Sequence, residues 1–589
     1  MGTLTDILNS EIYIAVEKDV ENFVIKKLNE YTAGAVNVKA TKKTIRDSVW
    51  GSIEFSEWEM QLIDTPLLQR LRDIYQVGLV YYTYPASRHS RFEHSLGVVA
   101  AAKKMCHAIK NNTGDNPENK DIIENINKKE NSIYLAALLH DVGHCFFSHL
   151  SESIYGEFED FHKLKDLFNE NLDRRPKPHE ILSFIIINTK TFKNFFSGQI
   201  AYPEKNLDYD LLFNNVGRMI IGAFIEDEAV IYSYLTSIIN GPFDADKLDY
   251  IKRDSMTTGL TLAYDVERLL NKIIVHNLPI NGKKEYRLVI KFNGITAVEE
   301  LTFCKIMLHS YLYYHQKVLT ADAMVRDYVH GLVKLGIINS YADFLWYTDS
   351  SLFDLGKEEE KEKKGKGKKV EDFFNKHPLD VDALADRIRN RRFPKRCFEL
   401  SQTNIKRDDS EKTDNDLQLF CENLIKRYKT DQITVEEVQK DIQTYTIIKT
   451  RKGPALLENL IMDLRESTYE KLLKKREELY NQLVEEYKSK EKSVTFDMFD
   501  IYIVFPQKVS YEVFKDEKVI VGKDISELFT IDDFVKLDDW ASSFNSNKWR
   551  GYVFVSERID IPIAFKVAEE YILKGAKINN PSAYIRGIS

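Results

Sequence analysis

The chain has 589 residues, 43% of them hydrophobic and 30% charged, with only 25 Gly and 14 Pro. That is globular composition, which excludes a disordered, collagenous or low-complexity chain and favours helices. A net charge of -8 excludes a protein that coats nucleic acid through bulk positive charge, although a local basic groove stays open. Cys106, Cys145, Cys304, Cys397 and Cys421 make no CxxC pair, so a reducing compartment fits better than a disulfide framework. The start, MGTLTDILNSEIYIAVEKD, lacks a basic-then-apolar signal pattern, and Asp6 breaks the myristoylation pattern. The most apolar stretch, from Met219 to Ile239, is broken by Glu226, Asp227 and Glu228, so no membrane span is expected. These features predict a soluble, cytoplasmic protein with no membrane partner.

In chain order, residues 1–40 carry an apolar stripe at four-residue steps (Leu8, Ile12, Val16, Val20, Val24), which predicts a helical N-terminal docking arm. Residues 41–335 show dense apolar periodicity at helical spacing, as in Ile133, Ala136, Ala137 and His140, and predict a helical core. One hairpin is predicted over Tyr286–Thr296, where RLVIKF runs into the turn dipeptide Asn293-Gly294. Residues 336–490 read as a helical extension, interrupted at 357–369 by KEEEKEKKGKGKK, which buries nothing and predicts a flexible surface loop. The extension ends in the charged stretch Glu466–Lys492. Residues 491–589 then predict a small α+β lobe, with FDIYIVF, YEVFKDEKVIVG and WRGYVFV as strands and a closing helix from about Pro562 to Lys574.

Histidine concentrates the chemistry. Eight of the 13 histidines (89, 94, 107, 140, 144, 149, 162 and 179) fall within residues 89–179. Imidazoles gathered in this way point to metal or acid–base work. The densest run is His140-Asp141-Val142-Gly143-His144-Cys145-Phe146-Phe147-Ser148-His149. An apolar helix delivers His140 and Asp141 at its end, and Gly143 allows a sharp turn that brings His144 and His149 back toward them. One His-Asp pair cannot fill a coordination shell. His94, at the start of an apolar helix, and the acidic run Asp244-Ala245-Asp246-Lys247-Leu248-Asp249 are the remote candidates. Two His and two carboxylates suit a divalent ion such as Mn, Fe, Zn, Ni or Mg, and spacing does not choose among them.

The order His94, His140-Asp141, Asp246 resembles the HD phosphohydrolase superfamily. Within it, the chain is similar to the dNTP triphosphohydrolase branch, which includes bacterial dGTPase-like enzymes and the animal SAM-and-HD-domain enzyme. The stretches that carry the likeness are IDTPLLQRLRDIYQVGLVYYTYP, SRHSRFEHSLGVV, LLHDVGHCFFSHLSE and DADKLDYIKRD. The likeness weakens after about residue 330, and no sterile-alpha-motif domain fits in the first 40 residues. It implies a mainly α fold: an HD-domain helical core, a helical extension and the small α+β C-terminal lobe.

By this resemblance His94, His140, Asp141 and Asp246 are the metal ligands, while Arg91, Lys247 and Tyr250 hold the triphosphate. His144, His149 and His179 flank the scissile phosphate, with Glu152 orienting His149. Gln76 and Asp254 read the sugar 3′-hydroxyl, and Tyr314 packs under the ribose. The family often has an Arg on the phosphates where this chain offers only Lys305. Asp64, Gln69 and Arg72 resemble a guanine-reading activator site, with Lys43 as a phosphate contact. Arg391, Lys395 and Lys523 resemble contacts of a second activator site. The expected partners are a dNTP substrate, an activator nucleotide (GTP or a dNTP) and further copies of the chain, as a dimer or tetramer. The expected reaction releases a deoxynucleoside and triphosphate. An HD phosphodiesterase or nuclease acting on another nucleotide, or a non-catalytic nucleotide sensor, stays open as an alternative.

Overall fold

The computed structural model describes residues 4–34, 41–113, 120–172, 174–204, 206–227, 229–280, 283–357, 373–401, 464, 468–507, 520–521 and 528–572. Cys421, Lys523 and residues 358–369 of the charged tract lie outside the described residues.

Helix α1 (Glu11–Gly34) follows the stripe read in the sequence. Val16, Val20, Phe23 and Val24 are fully buried. Side chains of this size stabilise by about 1.5–3 kcal/mol each when taken from water. The helix packs on Pro178–Asn188 and Lys190–Gln199 and shares their core, so the docking arm docks on its own chain. The functional region is built by α2 (Arg91–Thr113), α3 (Lys120–Leu139), α4 (His149–Tyr155), α5 (Pro178–Asn188) and α6 (Ala245–Thr258). α2 packs against both α3 and α6, which brings segments 150 residues apart into one interior. Further helices α7 (Ile295–Leu308) and α8 (Gln316–Lys334) are separated by a π-helical turn at His309–Tyr313.

Small sheets flank this interior. Strands β1 (Lys43–Asp47) and β2 (Gly51–Phe55) form an antiparallel ribbon. β3 (Val230–Ile231), β4 (Ile273–Ile280) and β5 (Lys283–Lys291) lie in a second sheet, where β4 and β5 pair antiparallel from Ile273 opposite Ile290 to Ile280 opposite Lys283. The hairpin is thus displaced from its predicted place. RLVIKF is its second strand, and Asn293-Gly294 forms the 3-10 turn that opens α7. At Gly294 a Cβ would lie 2.6 Å from both Ile290 and Lys272 side chains, so this glycine serves close packing.

The predicted helical extension contains a strand, β6 (Lys395–Ser401), whose side chains alternate imperfectly between burial and exposure. It pairs antiparallel with β10 (Arg550–Val555), which in turn pairs with β7 (Ile501–Val504). β8 (Ile520–Val521) and β9 (Leu528–Phe529) instead join the sheet of β5, so the C-terminal strands divide between two sheets. The charged stretch forms α9 (Tyr469–Ser489), and the last described helix is α10 (Ile561–Ile572). Leu479 and Leu483 from α9 and Ile563 and Val567 from α10 bury with Trp549 and Val553 in a second core. No helix among the described residues is long and apolar enough to cross a membrane.

Candidate active site

His94 lies in the first turn of α2, His140 and Asp141 directly follow α3, and Asp246 lies in the first turn of α6. His94 Nε2 stands 3.0 Å from Asp246 Oδ1, 3.3 Å from His140 Nε2 and 3.6 Å from Asp141 Oδ2. His140 Nε2 is 3.3 Å from Asp141 Oδ1. The four side chains therefore converge, and three of them offer ligand atoms within 4.8 Å of one another.

The opposite ring nitrogens explain why the Nε2 atoms face inward. His140 Nδ1 donates to the Ala137 carbonyl at 2.8 Å, and a carbonyl only accepts, so the lone pair is left on Nε2. His94 Nδ1 donates to Asp249 Oδ2 at 2.8 Å, which turns its Nε2 inward as well. Burial opposes a charge on His94, but the Asp246 and Asp249 carboxylates outweigh it and raise its pKa to about 9. Arg91, His140 and His144 likewise overcome burial and hold the Asp141 carboxyl well below the usual range. One inward lone pair on His140, the Nε2 of His94 that a cation would take in place of its proton, and two carboxylates held in their ionised form make a donor set that fits a divalent cation.

Asp249, part of the acidic run of candidate ligands, instead stands behind His94. Its Oδ1 accepts from Trp50 Nε1 at 2.7 Å and from Arg253 at 2.8 Å, and Arg253 also donates to Asp47 at 2.9 Å. The i, i+3 spacing of Asp246 and Asp249 was the available signal, since it puts both carboxylates on one helical face. Gly97 makes the arrangement fit: a Cβ there would sit 2.0 Å from Asp249 Oδ1 and 2.4 Å from an Arg253 nitrogen.

Beside these donors lies a second group, His144, His149, Glu152 and His179. A single oxygen, Glu152 Oε1, accepts from His149 Nδ1 at 2.7 Å and from His179 Nδ1 at 2.9 Å. Glu152 thus holds both imidazoles, one more than the sequence reading gave it. His179 stacks on His144 at 3.9 Å between centroids. Burial works against a charge on His179, and Glu152 outweighs it, so its pKa is raised. His144 is pushed the other way, by burial and then by Arg91. His149 alone is open to solvent, its side chain 61% exposed.

The turn before His149 differs from the one expected. Phe147 and Ser148 are its left-handed residues, with φ of 50° and 52°. Such positions cost non-glycine residues about 1–3 kcal/mol each and persist where neighbours hold them. Asp349 accepts the Phe147 N–H at 2.6 Å and the Tyr75 N–H at 2.9 Å, and Ser148 Oγ donates to the Tyr75 carbonyl at 2.7 Å. Buried Arg70 donates to the Val142 and His144 carbonyls at 2.6 and 2.7 Å. Gly143 instead lets the chain press against α5, since a Cβ would meet Ser183 N at 2.4 Å and the His179 carbonyl at 2.5 Å.

The residues assigned to phosphates and sugar surround this centre. Arg91 donates to Asp141 Oδ2 at 2.7 Å and to Ser148 Oγ at 3.0 Å. Lys247 bonds Asp244 Oδ2 at 2.6 Å and the Gly241 carbonyl at 2.8 Å. Tyr250, half-buried, lies one turn beyond Asp246 on α6. Burial, then Lys247 and Lys177, push the Lys305 pKa down to about 7. Lys177, at the start of α5, was missed by the sequence reading. Gln76 is buried with Oε1 lacking a hydrogen-bond partner, and Asp254 takes His89 Nε2 at 2.7 Å. Tyr313 Oη donates to Asp254 Oδ2 at 2.5 Å, while the Tyr314 ring lies 5.5 Å from that of His309 and Tyr314 also lines a cavity with Arg396, Glu399 and Arg550. Tyr313 ends the π-helical turn that begins at His309, and Tyr314 follows it. His309 in that turn, half-buried, was also missed; its Nδ1 has no hydrogen-bond partner, and desolvation, then Lys305 and His149, lower its pKa to about 3.

Among the expected activator contacts, Lys43 lies 3.9 Å from Asp64, and Gln69 Oε1 accepts from Arg72 at 2.7 Å. Gln69 also donates to the Ile63 carbonyl at 2.8 Å, which joins these residues into one exposed patch. Arg391 and Lys395 are exposed elsewhere, and Arg391 Nε donates to the Tyr82 carbonyl at 2.9 Å.

Residues 91–206 match the profile of the HD domain family, a span that contains His94, His140, Asp141 and the Glu152 group but ends before Asp246. The deoxynucleoside triphosphate triphosphohydrolase SAMHD1 homolog of Dictyostelium discoideum is 28% identical over 309 residues, 51% of this chain and 52% of that protein. Human deoxynucleoside triphosphate triphosphohydrolase SAMHD1 is 28% identical over 318 residues, 51% of this chain and 46% of that protein. The chain spans about half the length of these curated relatives. A crystal structure of a phosphohydrolase from Bacteroides thetaiotaomicron superposes with a TM-score of 0.51 at 15% identity, covering 87% of this chain and 100% of that one. That last likeness concerns the fold.

Proposed function

We propose that the chain, whose residues 91–206 match the HD domain family, is a metal-dependent triphosphohydrolase of dNTPs. The observation that carries this reading is the approach of Asp246 Oδ1 to 3.0 Å from His94 Nε2, beside His140, Asp141 and the Glu152-bound imidazoles. His94, His140, Asp141 and Asp246 would hold a divalent cation, which when bound polarises a phosphoryl oxygen and lowers the pKa of a water.

The remaining work falls to this chain's own residues. A triphosphate carries about four negative charges, so a buried one needs fixed cationic donors. Lys247, Lys177 and Arg91 supply that charge beside Lys305, whose pKa is pushed down to about 7 by burial and then by the two lysines. Water attacks the α-phosphorus, the bond to the nucleoside 5′-oxygen breaks, and that oxygen needs a proton to leave. His149 gives it as the imidazolium: Nδ1–H stays on Glu152, Nε2–H passes to the leaving oxygen, and the neutral ring remains. Deoxynucleoside and intact triphosphate result. Asp254, with Tyr313 and Gln76, bounds the sugar end. The exposed Lys43–Asp64–Gln69–Arg72 patch, together with Arg391, Lys395 and Lys523, would take an activator nucleotide in an oligomer.

The test is product analysis on the four dNTPs, singly and mixed, with Mn, Mg or Fe, alongside His140→Ala and Asp141→Ala. Triphosphate as first product, absent in both variants, is expected. Release of pyrophosphate or orthophosphate first would reject the regiochemistry, and turnover of cyclic nucleotides alone would make the chain a phosphodiesterase. A mixture of dNTPs that leaves both rate and oligomer mass unchanged would reject the activator patch.

A further inference from the structure

A cavity of about 150 Å³ lies between α8, α9 and β7. Leu319, Leu472, Ile503 and Phe505 supply apolar walls. Asp322 of α8 also lines it, and among the described residues this carboxylate accepts no hydrogen bond and joins no ion pair. The cations that share the lining are engaged elsewhere. Arg476 holds both oxygens of Asp327, at 2.8 and 2.9 Å, and the Tyr469 hydroxyl donates to the same carboxylate at 2.8 Å. Arg326 stands four residues after Asp322, the spacing at which helical ion pairs form, but donates to Glu157 at 2.8 Å instead. One carboxylate is thus left over among the charges of the cavity. Burial alone raises its pKa to about 7. Tyr502, also in the lining, has a buried hydroxyl with no hydrogen-bond partner.

An enclosed carboxylate without a partner is costly, and a donor that carries positive charge relieves it best. Arg326 and Arg476 each keep an Nε without a partner, but Glu157 and Asp327 already balance their charges, so an anion would add to the excess. Size narrows the choice further. An apolar cavity of about 150 Å³ takes a molecule of about six non-hydrogen atoms. We propose that this cavity binds a small organic monocation, an alkylammonium whose N–H groups reach Asp322 and whose chain lies against Leu319 and Leu472. The proposal is independent of the dNTP hydrolysis reading, since none of these residues belongs to the metal centre.

The test is calorimetric titration of the full chain with isobutylammonium, isobutanol and isobutyrate, three probes of similar shape and different charge. A buffer of about pH 8.5 keeps Asp322 ionised and the amine protonated. Wild type should bind isobutylammonium about tenfold or more tightly than isobutanol, the worth of one charge-assisted hydrogen bond, and should not bind isobutyrate. Asp322→Asn, which keeps the volume and removes the charge, should bind the amine and the alcohol about equally. Leu319→Phe, which keeps Asp322 and fills the cavity, should bind neither, with circular dichroism confirming that both variants are folded. Asp246→Asn, at the metal centre, should behave as wild type. No binding of isobutylammonium by wild type, a preference for isobutyrate, or a preference for the amine that survives in Asp322→Asn but is lost in Asp246→Asn overturns the site.

Discussion

Replacing Gly97 with alanine probes the packing on which the metal-binding geometry depends. The added methyl would lie 2.0 Å from Asp249 Oδ1 and 2.4 Å from an Arg253 nitrogen, where an ordinary Cβ contact begins at 3.4 Å. The carboxylate must then retreat by roughly 1 Å or more, and a hydrogen bond fails beyond about 3.5 Å. The 2.8 Å bond to His94 Nδ1 has no such slack. Neither helix yields easily, because α2 and α6 pack face to face over their length and Arg253 is tied between Asp249 and Asp47. His94 would lose the acceptor that fixes its tautomer and ring angle. Removal of such a partner typically weakens metal affinity by about 10–100-fold. The assay is titration of Mn into purified wild type and Gly97→Ala, with circular dichroism to confirm that both remain folded. Asp249→Asn, which keeps the volume and removes the charge, should fall on the same side. An unchanged Mn affinity in Gly97→Ala would refute the argument that Asp249 is pinned against α2 and sets the His94 ring.

Two further outcomes concern stability. Arg476 of α9 and Asp327 of α8 form a fully buried pair, with Nη1 at 2.8 and 2.9 Å from the two carboxylate oxygens, and Tyr469 Oη adds a third bond at 2.8 Å. Asp327→Ala strands the guanidinium, so urea denaturation should show a loss of about 3–5 kcal/mol, whereas Asp327→Leu with Arg476→Leu should lose much less. The second outcome is a pH dependence. Burial raises the Asp349 pKa to about 7 in the folded chain, against about 3.9 when unfolded. Between these values the folded state holds a proton that the unfolded state has released, so this group makes stability fall as pH rises from about 4 to 7. Denaturation midpoints at about pH 5 and pH 7.5 should differ less in Asp349→Asn than in wild type, and equal differences would show that Asp349 does not titrate there.

Local pattern sufficed for much of the molecule. The part of the four-residue stripe from Ile12 to Val24 runs along α1, while Leu8 ends a separate short helix, Leu4–Leu8; a helix needs only its own periodicity and a surface to bury against. His140-Asp141 after an apolar helix, and His94 and Asp246 in first turns, were legible because each depends on the residues beside it. β6 was missed, since seven residues of mixed burial become a strand only when β10 supplies the partner. The Asn293-Gly294 hairpin turn was misplaced for a related reason: that dipeptide is compatible with a helix start, and the pairing of β4 with β5 decided which turn it makes.

The sequence alone determined which residue types could gather charge and metal, and on which helices they sit. Tertiary structure decided which nitrogen of each imidazole faces inward, through Asp249, Ala137 and Glu152, because a tautomer is chosen by the partner on the opposite ring nitrogen. It also decided that Tyr313 meets Asp254, which lies 59 residues away along the chain. Neither choice is written in spacing along the chain. Both depend on atoms brought within hydrogen-bonding distance from segments far apart in the sequence.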